Sequence, residues 1–382
     1  MGRIPQRFHA PDGWNANTNL TFGSFHIDIA PIIIVAFFTT LLVFGTKIGA
    51  RVDGAMTVLK IAIVFFVVIV GFFYVKASNF TPFIPPSQPA STVEGSSAVT
   101  GVMTQPLWQF ATGMTPSVYG VPGILSGAAL VFFAFIGFDV VATASEETKN
   151  PHKNVPLGIG VGMLLIIVMY MLVAVVTTGM VSYADLAKQD SPSLATAFEL
   201  VGADWAAKII SFGIVLGLAT VVMVLLLGLT RIVFAMSRDG LLPRGLSKTG
   251  KHGTPAALQI VVGAVVALVA AFFDIGVLSD MVNIGTLSAF TLVAISIPIM
   301  RKKRPDLPRA FKMPGNPWIP ILIAVANFWL MLNLSVLTWI RFVVWLVVGV
   351  AIYFGYGYWH ARLGKGDLTE TLSAETDKAV NG

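Results

Sequence analysis

The chain has no cysteine, which removes disulfides, thiol chemistry and cysteine-based metal sites, and only 12% of its 382 residues are charged. Histidine is scarce too: His9, His26, His152, His252 and His360 all fall outside the apolar runs. Neither an HExxH nor a GxSxG arrangement occurs. The sequence therefore offers no recognisable enzyme machinery, no metal site and no cofactor site. What it has in quantity is apolar residues, 55% of the total, with a mean hydropathy of +0.81. Such a chain is a polytopic membrane protein, all-α in class. The formal charge of +6 comes from short basic clusters between apolar runs, where membrane topology accounts for them and no nucleic-acid site is needed.

A polar lead over 1–28, rich in Asn, Thr and Gly, reads as a loop. Nine apolar segments follow at about 29–46, 53–75, 123–145, 157–181, 206–236, 256–274, 281–300, 317–337 and 339–359, then a tail over 361–382. Each approaches the ~20 residues that cross ~30 Å of hydrocarbon, so 29–360 forms one transmembrane domain with the chain ends on opposite sides. One alternate set of connections carries Lys47, Arg51, Lys149, Lys153, Arg238, Arg244, the run Arg301–Arg304 and the tail's Arg362. The other set, the lead apart, has only Lys76, Lys188, Lys208 and Arg341. The excess of positive charge predicts a cell-membrane protein with a cytoplasmic C-terminus and an external loop from Lys76 to Pro122. In the next external connection, Ser191-Pro192 predicts an N-cap and first-turn proline for an amphipathic helix through Ala195, Phe198 and Val201. That helix lies either over the outer mouth or flat on the membrane surface.

The stretch from Phe132 to Pro151 stands apart from the other runs. It combines membrane hydrophobicity with Gly137, Asp139, Glu146 and Glu147. Gly137 predicts a broken helix, because glycine frees the backbone, and a freed carbonyl or amide in hydrocarbon needs a cavity, a partner or a ligand. A transporter holds its cargo at such a break. The alternative is a close-packing glycine between helices. Asp139 then either caps the helix that restarts after the break or helps to hold a cation or ammonium group. Glu146 and Glu147 belong to the inner boundary, Asn150-Pro151 ends the helix and Pro156 starts the next. Lys60, about 10 Å of helix rise inside the second segment, either snorkels to the cytoplasmic surface or marks a proton pathway.

Three motifs in order carry a family resemblance. They are Phe132 to Pro156, Thr230-Arg-Ile-Val-Phe-Ala-Met-Ser-Arg-Asp-Gly-Leu-Leu-Pro243, and Asn283-Ile-Gly-Thr-Leu287 followed by Arg304-Pro-Asp-Leu-Pro-Arg-Ala-Phe311. The chain resembles the amino acid permeases of the amino acid-polyamine-organocation superfamily, above all the cationic amino acid transporters and their bacterial relatives, from His26 to about His360. The resemblance implies a leucine-transporter-like fold with inverted five-helix repeats, of which this chain matches the part from the fourth helix onward and lacks the first three. It also implies that the third segment is the broken sixth helix. The carbonyls of Phe133, Ala134 and Ile136 would then receive the substrate's amino group, with Gly137 permitting the break and Phe135, Phe138 and Asp139 completing the site. Lys60 matches the lysine that stands in for sodium in proton-coupled relatives, with Thr220 beside it, although relatives often carry a hydroxyl where this chain has Ala219.

The expectation is a secondary active amino acid permease, coupled to protons rather than sodium, that is inactive as it stands if half of its pocket lies in helices outside this chain. The alternative is a non-transporting membrane scaffold or partner subunit that keeps the second repeat.

Overall fold

The structure is a computed structural model that describes residues 19–22, 25–43, 46–92, 101–138, 141, 148, 150–189, 192–247, 255–273, 275–305 and 313–361. It is all-α in its main elements. Strands β1 (Asn19–Phe22) and β2 (Phe25–Asp28) lie within the lead that reads as loop, where Thr, Phe and Ile supply β-forming residues. The long helices are α1 (Ile29–Val43), α2 (Thr46–Phe72), α3 (Gly120–Val131), α4 (Pro151–Met180), α5 (Asp204–Arg238), α6 (Ala256–Phe272), α7 (Ile275–Lys303), α8 (Trp318–Leu332) and α9 (Val336–Ile352). Among the described residues, five stretches can cross a membrane by length and composition: Gly54–Phe72, Lys153–Met180, Asp204–Arg238, Ile275–Lys303 and Val336–His360. Four shorter helices at Pro31–Val43, Gly120–Phe135, Ala256–Phe272 and Trp318–Leu332 are also apolar. Most large apolar side chains on these helices point outward, among them Leu164, Phe212, Leu292 and Trp345, as hydrocarbon rather than water allows.

The chain divides into two compact units, one of residues 1–20, 55–218 and 273–342, the other of 21–54, 219–272 and 343–382. In the first unit, Val67 of α2, Val176 and Met180 of α4 and Ile210 of α5 enclose Phe198. Helices approach closely here because of their glycines. A Cβ on Gly71 would press into Val176 and Met180, and one on Gly213 into Ile63. A second cluster joins Ala129 of α3, Ile284 and Leu287 of α7, and Met331 of α8. In the other unit, Val35, Phe38 and Leu42 of α1 pack on Leu258 and Val262 of α6 and on Met223 and Leu226 of α5. Gly263 gives way there to the side chain of Thr39.

The connection after α2 is a built structure. Strands β3 (Gln88–Pro89) and β4 (Ser117–Val118) pair antiparallel, and the turn between α8 and α9 holds the short helix Leu107–Thr112. The amides of Val336 and Leu337 donate to the carbonyls of Gln105 and Met103 at 3.1 and 2.8 Å, and Trp108 donates to Asn333 at 3.0 Å. The amphipathic helix runs Leu194–Leu200, and its N-cap is Ser193, not Ser191. Thr196 stands three residues beyond Ser193 and closes a reciprocal pair of cap bonds. Its apolar face, with Ala195, Ala197 and Phe198 buried, packs into the first unit's core, so it does not lie flat on a membrane surface. Helix α4 starts at Pro151 behind Asn150 (φ 53°), five residues earlier than Pro156 suggests. Both prolines suit a first turn, and the earlier one sets the boundary.

Candidate functional site

Helix α3 does not continue through the Phe-rich run. Its last turn tightens into a 3-10 turn over Phe132–Phe135, where the Ile136 amide donates to the Phe133 carbonyl at 3.2 Å. Ile136 is then extended (φ −65°, ψ 138°), Gly137 takes φ +117°, and helical geometry returns at Phe138. An L-residue rarely adopts the Gly137 conformation, so the glycine is what the turn requires. Among the described residues, no side chain or backbone atom beyond its chain neighbours lies within 4 Å of where its Cβ would be. Among the described residues, then, this glycine is not where a neighbouring helix packs close.

A break of this kind takes helical donors away from carbonyls on its N-terminal side, and two side chains from other helices donate to carbonyls there, one of which, Leu130, also accepts the Phe132 amide. The hydroxyl of Tyr170, on α4, donates to the Ala134 carbonyl at 2.8 Å. The amide of the fully buried Asn283, on α7, donates to the Leu130 carbonyl at 3.4 Å. Aromatic rings fix the break on both sides. Phe290 of α7 meets Phe132 before it (centroids 6.1 Å apart) and Phe138 after it (5.2 Å), and Phe135 meets Tyr170 edge-on at 5.2 Å. The break opens on a cavity of about 270 Å³ between residues 134–138 and 141 and one face of α4. Its wall is apolar side chains, chiefly Phe135, Ile136, Phe138, Ile159, Met163 and Ile166, over a floor at Gly158 and Gly162. Such a space suits an aliphatic group.

Of the residues expected at the site, Ala134, Phe135, Ile136, Gly137 and Phe138 line the cavity, whereas Phe133 is outside its wall and its carbonyl accepts the Ile136 amide. Asp139, Glu146 and Glu147 lie outside the described residues. Lys60 is half-buried on α2, its stem beside Gly217 of α5, where an added Cβ would stand 3.9 Å from its Cγ and 4.0 Å from its Cε. Thr220 is buried (2% exposed) and belongs to the second unit. Among the described residues, no group of three or more His, Asp or Glu could hold a metal ion.

Tyr170, Asn283 and Phe290 had no assigned role in the sequence. A hydroxyl in the apolar run Val-Met-Tyr-Met-Leu signals only that a polar atom needs a partner there. Nothing local names a carbonyl thirty-six residues away as that partner.

Comparison with known proteins bears on the whole of this region. A model of the amino acid permease family matches residues 11–356. The chain is 40% identical over 359 residues to the branched-chain amino acid permease BcaP of Bacillus subtilis (strain 168), covering 94% of this chain and 70% of that protein. It is 38% identical over 334 residues to the methylthioribose transporter of the same organism (87% and 65%). To the vacuolar cationic amino acid transporter 4 of Arabidopsis thaliana it is 34% identical over 281 residues (73% and 42%). The chain thus spans about two thirds of the length of these bacterial relatives and about two fifths of the plant one. The match takes in the break, the cavity wall on α4 and both units, and the chain belongs to the amino acid permease family.

Proposed function

We propose that this chain takes part in secondary active transport of an apolar amino acid, with the substrate bound at the Ile136–Gly137 break. The observation that carries the reading is the break itself, whose residues Ala134 to Phe138 line an apolar cavity. An ammonium group needs acceptors when it leaves water, and carbonyls released from a helix supply them without adding a charge. The aliphatic and aromatic wall favours a leucine, isoleucine or valine side chain over a charged one, in keeping with the name of the branched-chain permease among the relatives. Lys60 carries the coupling proton in this reading. All nine apolar helices span the membrane, and the C-terminus is cytoplasmic.

Purified full chain in proteoliposomes should accumulate tritiated leucine when the outside is made acidic, lose that accumulation to a protonophore, and be inhibited by valine but not by arginine. Failure to accumulate leucine under any imposed gradient contradicts the reading.

The absence of cysteine makes the orientation easy to test. Met114, exposed in the connection after α2, and Arg244, exposed in the connection after α5, should lie on opposite sides. In intact cells a membrane-impermeant maleimide should label Met114→Cys and spare Arg244→Cys. The reverse pattern would invert the topology.

A further inference from the structure

We propose that Tyr170 is a positioning residue that occupies the ammonium-accepting carbonyl of Ala134 while the site is empty and yields it when substrate binds. The inference rests on the transport reading above and adds a step to it, the return of the unloaded protein.

In a continuous helix the Ala134 carbonyl would accept the amide of Phe138. Ile136 in extended geometry and Gly137 at φ +117° turn that amide away. A carbonyl left without a donor in hydrocarbon is costly, so an empty site with nothing in its place would favour closing the break. The Tyr170 hydroxyl fills the vacancy at 2.8 Å. It is suited to a temporary role for two reasons. It is a single neutral donor, whereas an ammonium group makes the stronger, charge-assisted bond to the same oxygen and so displaces it. The residue is also 41% exposed and, among the described aromatic rings, its ring meets Phe135 alone, edge-on, so the hydroxyl can leave without repacking a core. The neighbouring clamp differs in this respect, because Asn283 is fully buried and has no room to withdraw from Leu130.

The consequence concerns which half of the transport cycle needs the hydroxyl. Exchange of substrate for substrate never requires the empty protein to reorient, since the ammonium covers the carbonyl in both directions. Net uptake does require it. Tyr170→Phe keeps the ring and removes only the donor, so exchange is the control for folding.

With tritiated leucine and the full chain in proteoliposomes, Tyr170→Phe should lower net uptake by roughly 2- to 10-fold, the worth of one neutral hydrogen bond, and leave leucine exchange at the unsubstituted rate. Leucine should also bind Tyr170→Phe more tightly, by a similar factor, because no hydroxyl competes for the carbonyl. Equal loss of uptake and exchange would overturn the inference, making Tyr170 an ordinary structural or substrate contact. So would unchanged uptake. An unsubstituted chain that neither binds nor exchanges leucine would overturn the transport reading and this inference with it, whereas normal exchange in the unsubstituted chain with either failure above overturns this inference alone.

Discussion

Replacing Gly137 by valine should lower leucine accumulation at least tenfold and leave the protein folded in the bilayer. Gly137 holds φ +117°, a conformation in which a side chain meets its own backbone. Forcing an L-residue there costs about 1–3 kcal/mol, and a β-branched one sits at the upper end. Since about 1.4 kcal/mol is tenfold in an equilibrium, the substituted segment leaves the open geometry most of the time. It relaxes by moving Ile136 and Gly137 toward helix, which withdraws the carbonyl of Ala134 from the cavity edge. Folding is spared because an added Cβ finds no atom of the described residues within 4 Å beyond its chain neighbours. The glycines that let helices touch behave in the opposite way: at Gly71 a side chain would strike Val176 and Met180, and stability itself would fall. Accumulation measured beside a thermal melt separates the two cases. A fully active Gly137→Val would mean that the break has no part in transport.

The break was legible in the sequence because glycine stands in a Phe-rich apolar run, and among the described residues the long helices fall on apolar runs. Their exact ends were less so. Two serines flank Pro192, and only the reach of Thr196 chooses Ser193 as the cap. Two prolines, Pro151 and Pro156, both suit a helix start, and one ends up inside α4. The partners of the break were not legible at all. Tyr170 and Phe290 acquire their roles through packing between segments far apart in the chain, which local pattern does not encode. The cavity wall was half legible, in that its Phe135, Ile136 and Phe138 belong to the motif, whereas Gly158, Ile159 and Met163 look like any apolar helix face.

Lys60→Ala should abolish the part of leucine accumulation that a pH gradient drives, while leucine binding stays within a few-fold of the unsubstituted protein. The residue sits half-buried on a helix whose neighbouring positions are apolar, its stem running beside Gly217. An amine at such depth marks an ion or proton pathway when it does not reach bulk water, and alanine removes the only proton-carrying atom it has. The cavity at the break is lined by other residues, so the substrate's contacts remain. Uptake compared with and without an acid exterior gives the answer. Pumping by Lys60→Ala that keeps its pH dependence would show that the side chain only anchors α2 at the interface.

The account turns on substrate binding at the break, and the cysteine-free chain allows that to be measured at one atom. Phe138→Cys places the sole thiol of the protein at the edge of the cavity, and Met114→Cys places one on the exposed connection after α2 as a control. The rate of maleimide labelling, measured with rising leucine on the full chain in proteoliposomes, should fall several-fold at Phe138→Cys along a saturable curve and stay constant at Met114→Cys. A rate at Phe138→Cys that leucine does not change, in protein that accumulates leucine, would place the substrate elsewhere and contradict the account.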